Sequence, residues 1–277
     1  MKWLILSCCC TLSLTAFGQL DLMELPRYKG AYIGLGPRSI SADPGTLLLR
    51  LTDNNTGTVY FTETEVDDLR LGNGLQLGWR WGNYTKLSHD VLIDLAFGEA
   101  ELFLFGYSLG WNFSTQLERK RLVIRPAIQG LISNVSFDLG TIQHTDDFVA
   151  FGETKIYNEF INVDALSEHV LLAARLDFSY RVLPKLDLFL KLAYDFEQGN
   201  DQATITLSPQ GMRDERNEGR FSEKLDLTAS DNNPQLLLDN QAITTLPYYL
   251  RGLRLTFGVA QVIERRRRAD KRKYEGR

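Results

Sequence analysis

The chain has 277 residues, with 31 Lys and Arg against 35 Asp and Glu and a net charge of −4. That balance supplies no broad basic surface for nucleic acid, and past the N-terminus no apolar run is long enough for a transmembrane helix. The three cysteines are Cys8, Cys9 and Cys10, so the remainder of the chain has no disulfide framework, no cysteine metal site and no cysteine nucleophile.

Residues 1–18 have the order of a secretory signal peptide. Lys2 is the positive start, residues 3–15 are apolar, and Ala16-Phe17-Gly18 is a small-x-small cleavage site. The first predicted strand is short, Lys29–Gly36, with Ala31, Ile33 and Leu35 opposite Tyr32, Gly34 and Gly36. A polar stretch follows to about Arg70. Within it, Leu47-Leu48-Leu49-Arg50-Leu51 and Val59-Tyr60-Phe61-Thr62 form either a hairpin in a long loop or two further strands of the main sheet. Strand two alternates Leu71, Leu75, Leu77, Trp79 and Trp81 with Gly72, Gly74, Gln76, Gly78, Arg80 and Gly82. Strand three sets Val91, Ile93, Leu95 and Phe97 against Asp90, Leu92, Asp94 and Ala96. Strand four sets Phe103, Phe105, Tyr107, Leu109, Trp111 and Phe113 against Leu104, Gly106, Ser108, Gly110, Asn112 and Ser114. Strand five, 121–138, has Leu122, Ile124, Pro126 and Ile128 opposite Arg125, Ala127 and Gln129. Its pattern slips near Gly130, where a bulge is expected.

Residues 169–198 are the clearest hairpin. In both arms one row is almost purely apolar, from Val170 to Val182 and from Leu186 to Phe196, and the other carries Arg175, Asp177, Arg181, Asp187, Lys191, Asp195 and Glu197. The period of two places the rows on opposite faces, and Leu183-Pro184-Lys185 is the turn. Strand eight, 250–263, alternates Leu253, Leu255, Phe257 and Val259 with Arg254, Thr256, Gly258 and Ala260. The segment 264–277 that follows is basic, with 8 Lys and Arg against 3 Asp and Glu.

Eight amphipathic strands with long connections after strands one, five and seven, and short ones after two, four and six, define an all-β, antiparallel, up-and-down transmembrane β-barrel with long extracellular loops. The count becomes ten if the 47–62 pair joins the barrel. Apolar side chains face lipid and charges face the interior. The inward row then holds Arg80, Arg125, Arg175, Arg181, Lys191 and Arg254 against Asp90, Asp94, Asp177, Asp187, Asp195 and Glu197. An eight-stranded interior is just wide enough for side chains, so these charges must pair, with inward glycines leaving room for the long ones. The aromatics form two girdles: Trp79, Trp81, Trp111, Phe113 and Tyr180 at one end, Phe97, Phe103, Tyr194, Phe196 and Tyr249 at the other. A soluble ligand-binding barrel would reverse the faces, but the apolar row is too uniformly large to close around.

Signal peptide, strand pattern, loop parity and glycine-rich inward face resemble the small outer-membrane β-barrel superfamily, which includes the OmpA membrane domain, OmpX-like proteins and PorT-like barrels. The resemblance implies a signal peptide at 1–18, a barrel over 19–263 and a basic periplasmic tail at 264–277, located in the bacterial outer membrane. It implies outer-membrane lipid and lipopolysaccharide as surroundings, the barrel insertion machinery as a partner, and a structural or interaction role in the cell envelope, with an unidentified periplasmic or surface protein. The alternative is a narrow pore for ions or small solutes. No enzyme, cofactor or metal is expected. His89, placed in a short turn, His144 beside Asp146 and Asp147 in a loop, and His169 are the only histidines, and neither a phosphate loop nor a nucleophile elbow is present.

Overall fold

The computed structural model describes residues 27–83, 86–117, 120–151, 154–200, 203–210, 223–226 and 234–265. The signal peptide expected at 1–18 and all but the first two residues of the basic tail expected at 264–277 lie outside the described residues. The described chain contains strands and no helix.

Eight strands form the main structure: β1 (Arg27–Ala42), β2 (Leu69–Asn83), β3 (Leu87–Phe97), β4 (Glu101–Trp111), β5 (Lys120–Gln143), β6 (Phe160–Leu183), β7 (Leu186–Asn200) and β8 (Gly252–Gln261). Each pairs antiparallel with its neighbour in sequence. β8 returns to β1, with Tyr32 opposite Ala260 and Leu35 opposite Phe257. The sheet therefore closes into a ring of eight strands, an arrangement compatible with a β-barrel. Closure removes the unpaired edges that an open sheet would expose. The segments 45–52 and 59–66 are not in the ring. They pair with each other and, through 45–52, with Gln235–Leu238 in a separate four-stranded sheet.

The ring is uneven in height. β3 and β4 have 11 residues each, whereas β5 and β6 have 24. The upper end is the one where β1 finishes. There β5 and β6 continue beyond their neighbours as a paired ribbon, and Thr204–Pro209 adds to the free side of β6. Three boundaries differ from the sequence expectation. Strand one extends past Pro37 through a shift in register between Pro37 and Ser39. β5 runs in register through Gly130, and its irregularity lies instead near Gly140, where φ is +109° and the pairing slips opposite Val163 and Asp164. The acidic stretch 139–168, expected as a loop, is strand over 139–143 and 160–168.

The lengthening of β6 comes with a reversal of polarity. From its lower end its outward row reads Tyr180, Phe178, Leu176, Ala174, Leu172, Val170, then Glu168, Leu166, Asp164, Asn162. Its inward row reads Ser179, Asp177, Arg175, Ala173, Leu171, His169, Ser167, then Ala165, Val163, Ile161. Outside, Leu172 is 45% exposed; inside and above, Val163 and Ile161 are 0% exposed. β5 changes at the same height, because Ile132 lies opposite Val170 and Asn134 opposite Glu168. Above that line the inward residues Val135, Phe137 and Leu139 join Leu47, Leu49 and Phe151 of the loop strands in one apolar core. Below it the outside is apolar and the inside polar.

Candidate functional site

The polar interior below the reversal is the candidate site. All twelve charged residues expected there project to the inner face, eleven of them on ring strands that alternate with exposed apolar neighbours and the twelfth, Asp90, on β3 between the outward His89 and Val91. Asp90 is 0% exposed. Its Oδ2 accepts hydrogen bonds from Arg175 and from Arg80 (3.2 Å), with Arg125 and Lys191 each at 3.7 Å. The phenol of Tyr32 donates to its Oδ1 at 2.7 Å. Asp177 accepts from Arg80 at 2.6 Å and Arg125 at 3.0 Å, and its Oδ1 lies 2.9 Å from Arg175 Nε. Lys191 Nζ donates to Gln76 at 2.8 Å and sits 3.4 Å from the centre of the Tyr32 ring, a cation–π contact strengthened by desolvation.

A second cluster lies higher. Arg38 pairs with Asp94 at 2.6 Å, Arg254 with Asp195 at 3.0 Å, and Arg254 reaches Asp94 at 3.5 Å. Arg181 and Asp187 pair at 2.5 Å toward the lower end. Glu197 accepts from the backbone N–H of Leu250 and lies 2.8 Å from His169 Nδ1. Small residues make this packing possible. A Cβ on Gly110 would lie 2.6 Å from Arg125 Nε, and one on Gly78 would lie 2.2 Å from the Tyr32 ring.

Several interior residues were not legible in the sequence reading. Arg38 lies two places beyond Gly36 in the same row, but Pro37 reads as a strand end because proline cannot donate to a ladder. Tyr32 was placed in the inward row, but its hydroxyl contact with Asp90 is a matter of tertiary packing. Ser88 and Ser108 accept from Arg125 at 2.6 and 3.1 Å.

Of the aromatic residues, Trp79, Phe97, Phe103, Trp111, Phe113, Tyr180, Tyr194 and Phe196 are outward and exposed. Two are placed otherwise. Trp81 is half-buried and stacks on His89 at 5.4 Å. Tyr249 is off the ring, in a short strand beside Ser41 and Ala42, where it donates to Asp43 at 2.6 Å. His89 is correspondingly within β3 and not in a turn. It points outward, 2.6 Å from the Tyr107 hydroxyl.

Ser133 and His169 face one another across β5 and β6, and His169 is held by Glu197. This is the residue order of a hydrolytic triad, but Ser133 and His169 are 0% exposed and neither Ser133 Oγ nor His169 Nε2 has a hydrogen-bond partner. A nucleophile with no exposed surface admits no substrate. His144 has both ring nitrogens directed at backbone carbonyls, Asp146 at 3.1 Å and Asn158 at 2.6 Å. Among the described residues no three His, Cys, Asp or Glu side chains form a metal-holding group. The chain matches no family model and no curated protein.

Proposed function

We propose that the ring is an integral β-barrel of the bacterial outer membrane, akin to the small OmpA-, OmpX- and PorT-like barrels, with a structural or interaction role in the cell envelope. The observation that carries this reading is the reversal of polarity at one height. Below it, Leu172, Ile128, Ile132, Leu188 and Phe257 are all at least 40% exposed while ion pairs fill the inside. An apolar exterior of this extent is unfavourable in water and stable in hydrocarbon. Above the line the same strands have the polar exterior and apolar core of a water-soluble sheet. The described residues of 43–68, 144–159 and 203–251 lie on this upper side and would face the cell exterior.

The upper layer supports an interaction role rather than a pore. An apolar core containing Leu47, Leu49, Phe137 and Tyr248 stands above an interior crossed by ion pairs, an arrangement that favours a filled interior over an aqueous pore. The partners proposed are outer-membrane lipid and lipopolysaccharide around the barrel and a protein met by the upper layer. The insertion machinery would deliver it. After removal of residues 1–18, the protein should fractionate with outer membrane and migrate as a heat-modifiable band in detergent gels. Recovery as a soluble periplasmic protein without detergent would end this reading. Steady single-size channels from the pure protein, altered by Asp195→Ala, would replace it with a pore.

A further inference from the structure

The lower interior cluster is electrically unbalanced. Four cations, Arg80, Arg125, Arg175 and Lys191, lie within 4 Å of only two carboxylates, Asp90 and Asp177. The upper cluster is balanced, with Arg38 and Arg254 facing Asp94 and Asp195, and Arg181 pairs with Asp187. Among the described residues no third carboxylate reaches the four. Lys191 has the weakest claim on the two that are present, at 3.7 Å from Asp90, and its closer contacts are a neutral amide and an aromatic ring. Arg175 Nη1 and Arg80 Nε are buried with no hydrogen-bond partner. Buried cations without counter-charge are costly.

Beside this cluster is a cavity of about 30 Å³ lined by Arg80, Tyr28, Tyr32, Ser179, Asp187 and Phe189. That volume exceeds the roughly 10–15 Å³ needed for a single water. It lies at the lower end of the ring, where Gln261 and Val262 complete its wall. The one carboxylate in its lining, Asp187, is already held by Arg181.

We propose that this cavity is a binding site for one small inorganic monovalent anion, of halide size, which supplies part of the negative charge the cluster lacks. Arg80 provides the guanidinium and Ser179 a hydroxyl donor. Access is from the lower end, because the apolar core covers the other. The site is independent of the membrane reading, since it depends only on the interior of the ring.

Thermal unfolding of the full-length, detergent-solubilised protein tests it, followed by tryptophan fluorescence in sodium chloride or bromide against sodium gluconate at equal ionic strength. Halide should raise Tm along a saturating curve, as for any ligand of the folded state, and gluconate, too large for the cavity, should not. Arg80→Gln should lose the saturating component, while Arg251→Gln, exposed beside Tyr249 and away from the cavity, should keep it. If Arg80→Gln does not fold, Lys191→Met, which removes one excess cation, should weaken the halide dependence. Bromide should also give an anomalous scattering peak in the cavity. Equal Tm of the wild-type protein in halide and gluconate would overturn the site.

Discussion

Asp177 shows how much depends on single residues in the interior. It accepts from Arg80 and Arg125 and pairs with Arg175, so Asp177→Ala leaves three guanidinium groups sharing Asp90. Removing one member of a buried ion pair costs about 3–5 kcal/mol, and denaturant unfolding should show a loss of that order. Gly110→Ala tests the packing of the same site without changing charge. The new methyl would lie 2.6 Å from Arg125 Nε, and Arg125, which is 0% exposed and bonded to Ser88, Ser108 and Asp177, cannot retreat. Overpacking of this kind costs about 1–3 kcal/mol. In the upper layer Asp53 acts as a clasp. Its carboxylate accepts from the backbone of Asn55, Thr56 and Ala150 and from the Thr56 hydroxyl, joining the 45–66 hairpin to the strand Val149–Phe151. Burial alone would raise its pKa, but these hydrogen bonds outweigh burial and hold the carboxyl below its ordinary value. The folded value is thus lower than the unfolded one. The clasp contributes fully above about pH 4 and is lost as pH falls through the folded pKa. Protease cleavage in the 45–66 hairpin should therefore rise in acid below pH 4, and Asp53→Ala should give the same sensitivity at neutral pH.

At the scale of elements, the outward apolar rows carry the next prediction. Leu188 and Leu190 are outward and exposed on β7, and Ala174 is outward on β6. Arginine at any of these should cost about 2–4 kcal/mol near the middle of a bilayer, whereas Asn162→Arg, above the reversal on the same row of β6, should be nearly neutral. Folding yields into lipid vesicles measure the difference. These elements also mark what the sequence made legible. Strands three, four, six, seven and eight were readable because apolar and polar residues alternate, and Leu183-Pro184-Lys185 announced the hairpin turn. In strand two the alternation holds from Leu75 to Trp81, but Leu71, expected in the same outward row, is fully buried because the chain slips at Gly72, where φ is +67°. The upper half of β6 was missed although Ile161, Val163 and Ala165 alternate with Asn162, Asp164 and Leu166. Its outward row carries Asn162, Asp164 and Glu168, so a search for apolar exteriors reads it as loop. The interior charges were legible as a row, but their pairing was not. Arg80 on β2 reaches Asp177 on β6, a contact across the ring that depends on closure and register, neither of which is local.

The whole molecule is two environments on one continuous set of strands. An apolar belt encloses paired charges below, and an apolar core with a polar exterior stands above. The proposed bilayer setting would account for this arrangement, because a membrane rewards an apolar exterior around an ionic interior over a limited height. All three cysteines lie within residues 8–10, inside the proposed signal peptide, so single cysteines can be placed along the outward row of β6 without background labelling. The most direct test is spin-label accessibility at positions 162, 164, 166, 168, 170, 172, 174 and 176 of the protein in lipid bilayers. Labels at 170 and below on the strand, toward 176, should collide with oxygen and be shielded from a water-soluble nickel complex. Labels from 168 to 162 should show the opposite preference, with the crossover between Glu168 and Val170. Uniform nickel accessibility along the whole row would contradict membrane insertion and, with it, the central claim.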